Sequence, residues 1–357
     1  MLACQHPIVE METSVSLAGG DVTESHGSQI ADLNREVLKL KQEINSLKAQ
    51  LTLAKRFSYA NIANQPDLVV QYTGLSSDEF DVLTNTAQQL QPFRYYLGWD
   101  VVSLDIADQI LMTLMKLKRN YTHVDLGHRF CVSCETVKNV VLTWICILHQ
   151  MLFEGIISAI GMPSQLKNIS SMPNSFSSFS NCRVVVDCTE VQIAVPRSNM
   201  AKQSQTWSHY KQRNTFKGLI GVAPNACVTF VSKLYPGSTS DKEIVRHCGI
   251  LKQMNKGDLV LADKGFVIQD IMPPGVFVNV PPFLVKSQFT PQEVLCTKRI
   301  ARARIHVERA IERIKAYHIL NLIPAHYRPW ASQIFQLCAS LVNLQTPLLN
   351  EVRDSLE

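Results

Sequence analysis

The chain has 357 residues, 46% of them hydrophobic and 18% charged, which suits one large core with one or two small modules rather than a disordered tail or a fibre. The formal charge of +5 is mild. Ten scattered cysteines with one close pair, Cys131 and Cys134, exclude a disulfide framework and a paired zinc site, and no run of 18 apolar residues or signal-like N-terminus appears. A reduced intracellular compartment and no membrane partner are the expectation.

Residues 1–28 carry Gly19, Gly20 and isolated polar groups without periodicity, so they read as a flexible lead segment, and Cys4 with His6 is too little for a zinc finger. Residues 29–56 then repeat Ile30, Leu33, Val37, Leu40, Ile44, Leu47 and Leu51 at alternating spacings of three and four. That is a coiled-coil pattern. β-Branched residues at a with leucine at d favour a parallel two-stranded coil, and Glu36 and Glu43 at g face Lys41 and Lys48 at e of a partner chain. A homodimer is predicted, the alternative being one amphipathic helix packed on its own domain.

Residues 75–155 read as an all-helical module. Ser77 and Asp78 open one helix and Leu104 to Lys118 forms another, after which Thr122 caps Val124 to Phe130, Cys131 to Ser133 turns, and a last helix runs to about His149. The spacing gives a helix-turn-helix whose second helix offers Glu135, Thr136, Lys138 and Asn139. Lys138 and Asn139 are the expected DNA contacts, with a purely structural three-helix unit as the other reading.

Residues 163–181, rich in Ser, Pro and Asn, are expected to link this module to a domain over 182–347. There, strands are predicted near 182–187, 191–196, 216–223, 227–234, 258–263 and 276–280, with helices near 241–254 and 290–320. The expected class is α/β, a central mixed sheet covered on both faces. No acid occurs between Val191 and Ser240, whereas Arg197, Lys202, Lys211, Arg213 and Lys217 do, interleaved with Trp207, Tyr210 and Phe216. This stretch is a candidate phosphate-binding face. Between residues 298 and 315 the last long helix bears seven cations against Glu308 and Glu312, so Arg302, Arg304, Arg309 and Arg313 are further candidate DNA contacts.

Three carboxylates sit in strongly patterned surroundings. Asp187 ends Val-Val-Val-Asp, Asp263 follows Leu-Val-Leu-Ala, and Glu308 lies in the long helix, so two strand ends and one helix could converge them. Like charges that close raise one another's pKa, and a hard cation such as Mg²⁺ or Mn²⁺ relieves the repulsion. Two such ions about 3.5–4 Å apart serve in-line phosphoryl displacement. Glu190 is expected to turn to the opposite strand face, Asp241 to cap a helix, and Glu312 stands as the rival to Glu308.

The ordered motifs Asp187-Cys188-Thr189-Glu190, Gln205-Thr206-Trp207-Ser208, Tyr235-Pro236-Gly237-Ser238, Asp263-Lys264-Gly265-Phe266, Pro281-Pro282-Phe283 and Arg304-Ile305-His306-Val307-Glu308-Arg309 resemble the DDE superfamily endonuclease domain of Harbinger-type transposases, in the branch linked to THAP zinc fingers. The residues before it resemble that family's helix-turn-helix. Lys264 departs from the arginine common there. The resemblance implies a ribonuclease-H-like fold, Asp187, Asp263 and Glu308 as the metal-holding catalytic triad, DNA as substrate, a separate DNA-binding accessory subunit and the nucleus as location. A domesticated, catalytically silent DNA-binding or scaffold protein is the alternative.

Overall fold

The computed structural model describes residues 22–349 except Ser198, Lys264 and 282–289. The lead segment up to residue 21, the motif positions Lys264, Pro282 and Phe283, and the side chain of Leu51 therefore lie outside the described residues. The chain forms two compact units, one ending at Arg56 and one beginning at Phe57.

The first unit is helix α1, Val22–Lys55, which begins before the heptad pattern does, within the expected lead segment. Ile30, Leu33, Val37, Leu40, Ile44 and Leu47 are all exposed along it. An isolated helix gains little from propensity alone, so most of its stability must come from covering such a stripe.

The second unit opens with α2 (Tyr59–Ile62), α3 (Pro66–Thr73), α4 (Ser77–Gln88), α5 (Ile106–Arg119), α6 (His123–Phe130) and α7 (Cys134–Leu148). Local chemistry sets these boundaries. Ser76 and Glu79 form a reciprocal capping box at α4. Thr122 accepts from the Asp125 amide to start α6, Cys131 ends it in the left-handed region, and Ser133 accepts from the Thr136 amide to start α7. The turn is tight, since a Cβ on Gly127 would stand 2.8 Å from the Val132 carbonyl oxygen. A π-helical stretch, His149–Ser158, continues α7. Residues 134–158 are together long and apolar enough to cross a bilayer, which the absence of an 18-residue apolar run had concealed, but 56% of the most apolar window is buried in this unit.

The segment expected to separate two domains is instead built into the body. It contains α8 (Gln165–Ser170), Phe176 is fully buried, and the buried Asn168 amide donates to the Cys182 and Arg183 carbonyls. Polar composition misled here because Asn168 satisfies strand-end backbone rather than water.

Seven strands follow: β1 (Cys182–Gln192), β2 (Trp207–Ser208) after α9 (Met200–Thr206), β3 (Arg213–Val222), β4 (Val228–Val231), β5 (Tyr235–Pro236), then α10 (Asp241–His247), β6 (Leu259–Leu261) and β7 (Phe277–Asn279). They lie in the order β2-β3-β1-β6-β7, with β4 and β5 also paired to β3. β1, β3 and β4 run antiparallel, whereas β6 runs parallel to β1 and β7 parallel to β6. The two strands expected over 182–187 and 191–196 are one, because β3 pairs β1 continuously from Val185↔Val222 to Gln192↔Thr215. Asp187 is consequently mid-strand.

Helices α11 (Pro291–Lys315) and α12 (Ala331–Val342) complete the unit. On one sheet face Val185, Ile220 and Leu261 pack with Ile300, Ala303 and Val307 of α11 and with the helical module through Phe80 and Trp144. On the other, Val184, Val186, Val260 and Ala262 pack with Ile244 and Val245 of α10. The mixed sheet is thus covered on both faces, as expected.

Candidate active site

Parallel register brings the first two acids together. Val185 of β1 pairs with Leu261 of β6, so Asp187 and Asp263, each two residues further on, stand at one level. Side chains two apart share a face. Both acids therefore turn to the side of Val185 and Leu261, where α11 lies. On α11, Ile300, Ala303, Val307, Ala310 and Ile314 form the buried stripe. Arg304 and Glu308, one turn apart, flank it and reach the same place.

There one guanidinium gathers the charge. Arg304 Nη1 lies 2.9 Å from Asp263 Oδ1 and Nη2 3.5 Å from Glu308 Oε1. The Arg304 side chain is only 11% exposed, against 51% for Asp263 and 56% for Glu308. Asp187 is the sunken member. Burial pushes its carboxyl up to about 6, against the pull of Arg304 and of the Cys188 amide that donates to Oδ1 at 2.8 Å, with Asp263 and Asp241 adding to the rise. Glu308, rather than Glu312, shares the guanidinium with Asp263.

Neighbouring acids have other duties. Glu190 accepts from Thr215 Oγ1 at 2.7 Å. Asp241 is the first residue of α10 rather than its cap; Ser240 caps it, and Asp241 instead pairs with Lys217 Nζ at 3.2 Å. Among the described residues no three His, Cys, Asp or Glu side chains close to metal-holding spacing. The donor set nonetheless suits a hard cation: all three arms offer carboxylate oxygen, two are open to solvent, and a positive group already stands between them.

The expected DNA contacts divide in the same way. Arg197, Lys202, Lys211, Arg213, Arg302 and Arg309 are exposed. Lys211, Arg213 and Lys315 line a cleft of about 450 Å³ with Glu190, Gln192 and Thr215. Burial and Lys211 lower the Lys315 pKa, while Asp187 and Glu190 hold it up. Lys315 had been counted only among the helix cations, although it stands two turns beyond Glu308 on the same face. Trp207 and Tyr210 are exposed, whereas Phe216 packs on the core.

Four expected contacts face elsewhere. Asn139 is fully buried, accepting from the Leu97 amide at 2.8 Å and donating to the Trp99 carbonyl at 2.9 Å, so it braces a loop and cannot reach a base. Lys217 is mostly buried against Asp241. Arg304 sits within the acid cluster, and Arg313 donates to the Thr346 carbonyl at 2.6 Å. Lys138 remains available, loosely paired with Glu135 at 3.7 Å.

Two family models match the chain. Residues 186–343 match the DDE superfamily endonuclease model, and residues 102–154 match the helix-turn-helix of DDE superfamily endonuclease. The chain belongs to the DDE superfamily as a transposase-derived protein. It is similar to Protein ALP1-like of Arabidopsis thaliana, at 22% identity over 228 residues covering 61% of this chain and 55% of that protein. The chain thus spans about half the length of this curated relative. No solved structure matches it.

Proposed function

We propose that the chain is a divalent-metal-dependent DNA endonuclease of the Harbinger transposase type, built on a ribonuclease-H-like fold. The convergence of Asp187, Asp263 and Glu308 around Arg304 carries this reading. The antiparallel β1, β3 and β4 followed by parallel β6 and β7 support the fold. Asp187, Asp263 and Glu308 would hold Mg²⁺ or Mn²⁺, which when bound stabilises charge developing on a scissile phosphate. Lys211, Arg213 and Lys315 bind backbone phosphates in the adjoining cleft, and exposed Arg302 and Arg309 extend that track along α11. Trp207 and Tyr210 stack on bases that leave the duplex. The same site accepts a freed 3′-hydroxyl in place of water; its oxygen attacks a target phosphodiester and displaces the target strand's own 3′-oxygen, which leaves as a hydroxyl, so that DNA ends are joined by transesterification.

In this reading residues 75–155 are the helix-turn-helix module, contacting DNA through the first turn of α7, and residues 182–347 are the endonuclease. The chain acts in the nucleus with a separate DNA-binding subunit, and the apolar stripe of α1 pairs two copies as a parallel coil over 29–56. A peptide spanning Gln29 to Arg56 sediments as a dimer on this account; a monomer at high concentration removes the coil.

Cleavage of an end-containing duplex with Mn²⁺ is the test of activity. Asp187→Asn, Asp263→Asn and Glu308→Gln should each abolish it while the fold persists, and full activity in any of them refutes that assignment. A second reading, a catalytically silent DNA-binding protein, rests on the Arg304 guanidinium, which engages the two exposed acids where the cation would stand. It predicts DNA binding without cleavage in the unaltered chain.

A further inference from the structure

Arg304 is a strange neighbour for a cation site. Its guanidinium touches two of the three acids proposed to hold the metal, yet the placement is poorly satisfied. Nε is buried with no hydrogen-bond partner among the described residues, which costs free energy that water would otherwise offset. The 3.5 Å separation from Glu308 is longer than the 2.7–2.9 Å typical of a strong charge-assisted hydrogen bond. Asp263 and Glu308 are meanwhile half open to solvent, so an ion can reach them without unfolding the site.

We propose that Arg304 is a built-in counter-ion that competes with the divalent cation for Asp263 and Glu308, and so sets the cation affinity of the site. Without metal, the guanidinium holds the two carboxylates near Asp187 against their mutual repulsion. A divalent ion of higher charge density takes its place at the same oxygens, and Arg304 is released from them. The full site is then preassembled but weak for metal, because binding must first break an existing ion pair. Arg304 is a positioning residue in this scheme, and the inference rests on the metal-holding reading of the three acids.

Calorimetric titration of the full chain with Mn²⁺ tests it, comparing the unaltered protein with Arg304→Gln and Asp263→Asn. Removing a charge-assisted contact to the ligands should tighten Mn²⁺ binding in Arg304→Gln by about tenfold or more. Equal or weaker binding in a folded Arg304→Gln, with binding lost in Asp263→Asn, overturns the counter-ion role and leaves the metal reading standing. No saturable Mn²⁺ binding in any of the three overturns both. Should Arg304→Gln fail to fold, the unaltered chain still decides: the Arg304 Nε–H resonance should shift as diamagnetic Mg²⁺ saturates the site, and an unmoved resonance at saturation overturns the proposal.

Discussion

Helices α7 and α11 both carry polar residues singled out as functional, and they treat them in opposite ways. α11 buries one stripe, Ile300 to Ile314, and beside it leaves open Glu308, Glu312 and cations such as Arg302 and Arg309. α7 is buried almost all round after its first turn, from Val140 through Ile145. A polar residue beside a single stripe can lean into a cleft, as Arg304 and Glu308 do. Inside a helix covered on every side it must find protein partners, as Asn139 does with Leu97 and Trp99. The polar side chains that α7 leaves open are therefore those at its start, Glu135, Thr136 and Lys138.

The sharpest way to break this contrast is to exchange neighbours on α7. Asn139→Ala takes a fully buried side chain from the core and leaves the part-buried Leu97 amide and Trp99 carbonyl without their side-chain partners, and should destabilise the second unit by about 3 kcal/mol. Lys138→Ala removes only a loose exposed pair and should change stability by less than about 0.5 kcal/mol while weakening DNA binding. Chemical denaturation measures the first effect and fluorescence anisotropy with duplex DNA the second. Asn139→Ala at unaltered stability would show that its burial is not energetically used.

The acid cluster yields the next largest effect. The Asp187 carboxyl ordinarily ionises near 3.8 but is pushed up to about 6 by burial. A folded-state pKa above the unfolded one means the folded chain holds the proton more tightly. The cost of ionising Asp187 is absent below about pH 3.8, grows between there and about 6, and is complete above. In metal-free protein Asp187→Asn should thus gain up to about 3 kcal/mol of stability at pH 7, from a shift worth about 1.4 kcal/mol per unit. The gain should fade as pH drops toward 4. Equal stability at both pH values would mean Asp187 is better solvated than its burial indicates.

These two sites also mark what was legible in the chain. Asp187 and Asp263 were readable because each follows an apolar run with strand alternation, and parallel pairing of β1 with β6 does the rest. The choice of Glu308 over Glu312 rested on the family resemblance, while the place of both on a helix was readable from the pattern of α11. The counter-ion placement of Arg304 was not, since it depends on where one long side chain comes to rest between two others. The burial of Asn139 was not readable either, because Glu135, Thr136 and Thr143 lie three and four residues from it on the same helix face and give it a polar side that only the loop at Leu97 and Trp99 covers. Lys217 follows core-facing Phe216 and so alternates toward α10, where Asp241 meets it. Counting cations along an acid-free stretch could not separate it from Lys211 and Arg213.

That last distinction carries the smallest expected effect. If Lys211 and Arg213 contact phosphates from the cleft beside Lys315, each substitution to Ala should lower the slope of log binding constant against log salt by about 0.9, since one fewer counterion is released from duplex DNA. Lys217→Ala should leave the slope unchanged because its charge is engaged by Asp241. Stability would move the other way, with Lys217→Ala exposing Asp241 to an unbalanced environment and the cleft substitutions near neutral. Equal slopes for all three would place the DNA track elsewhere, along the exposed cations of α11, and would separate the acid cluster from the cleft that adjoins it.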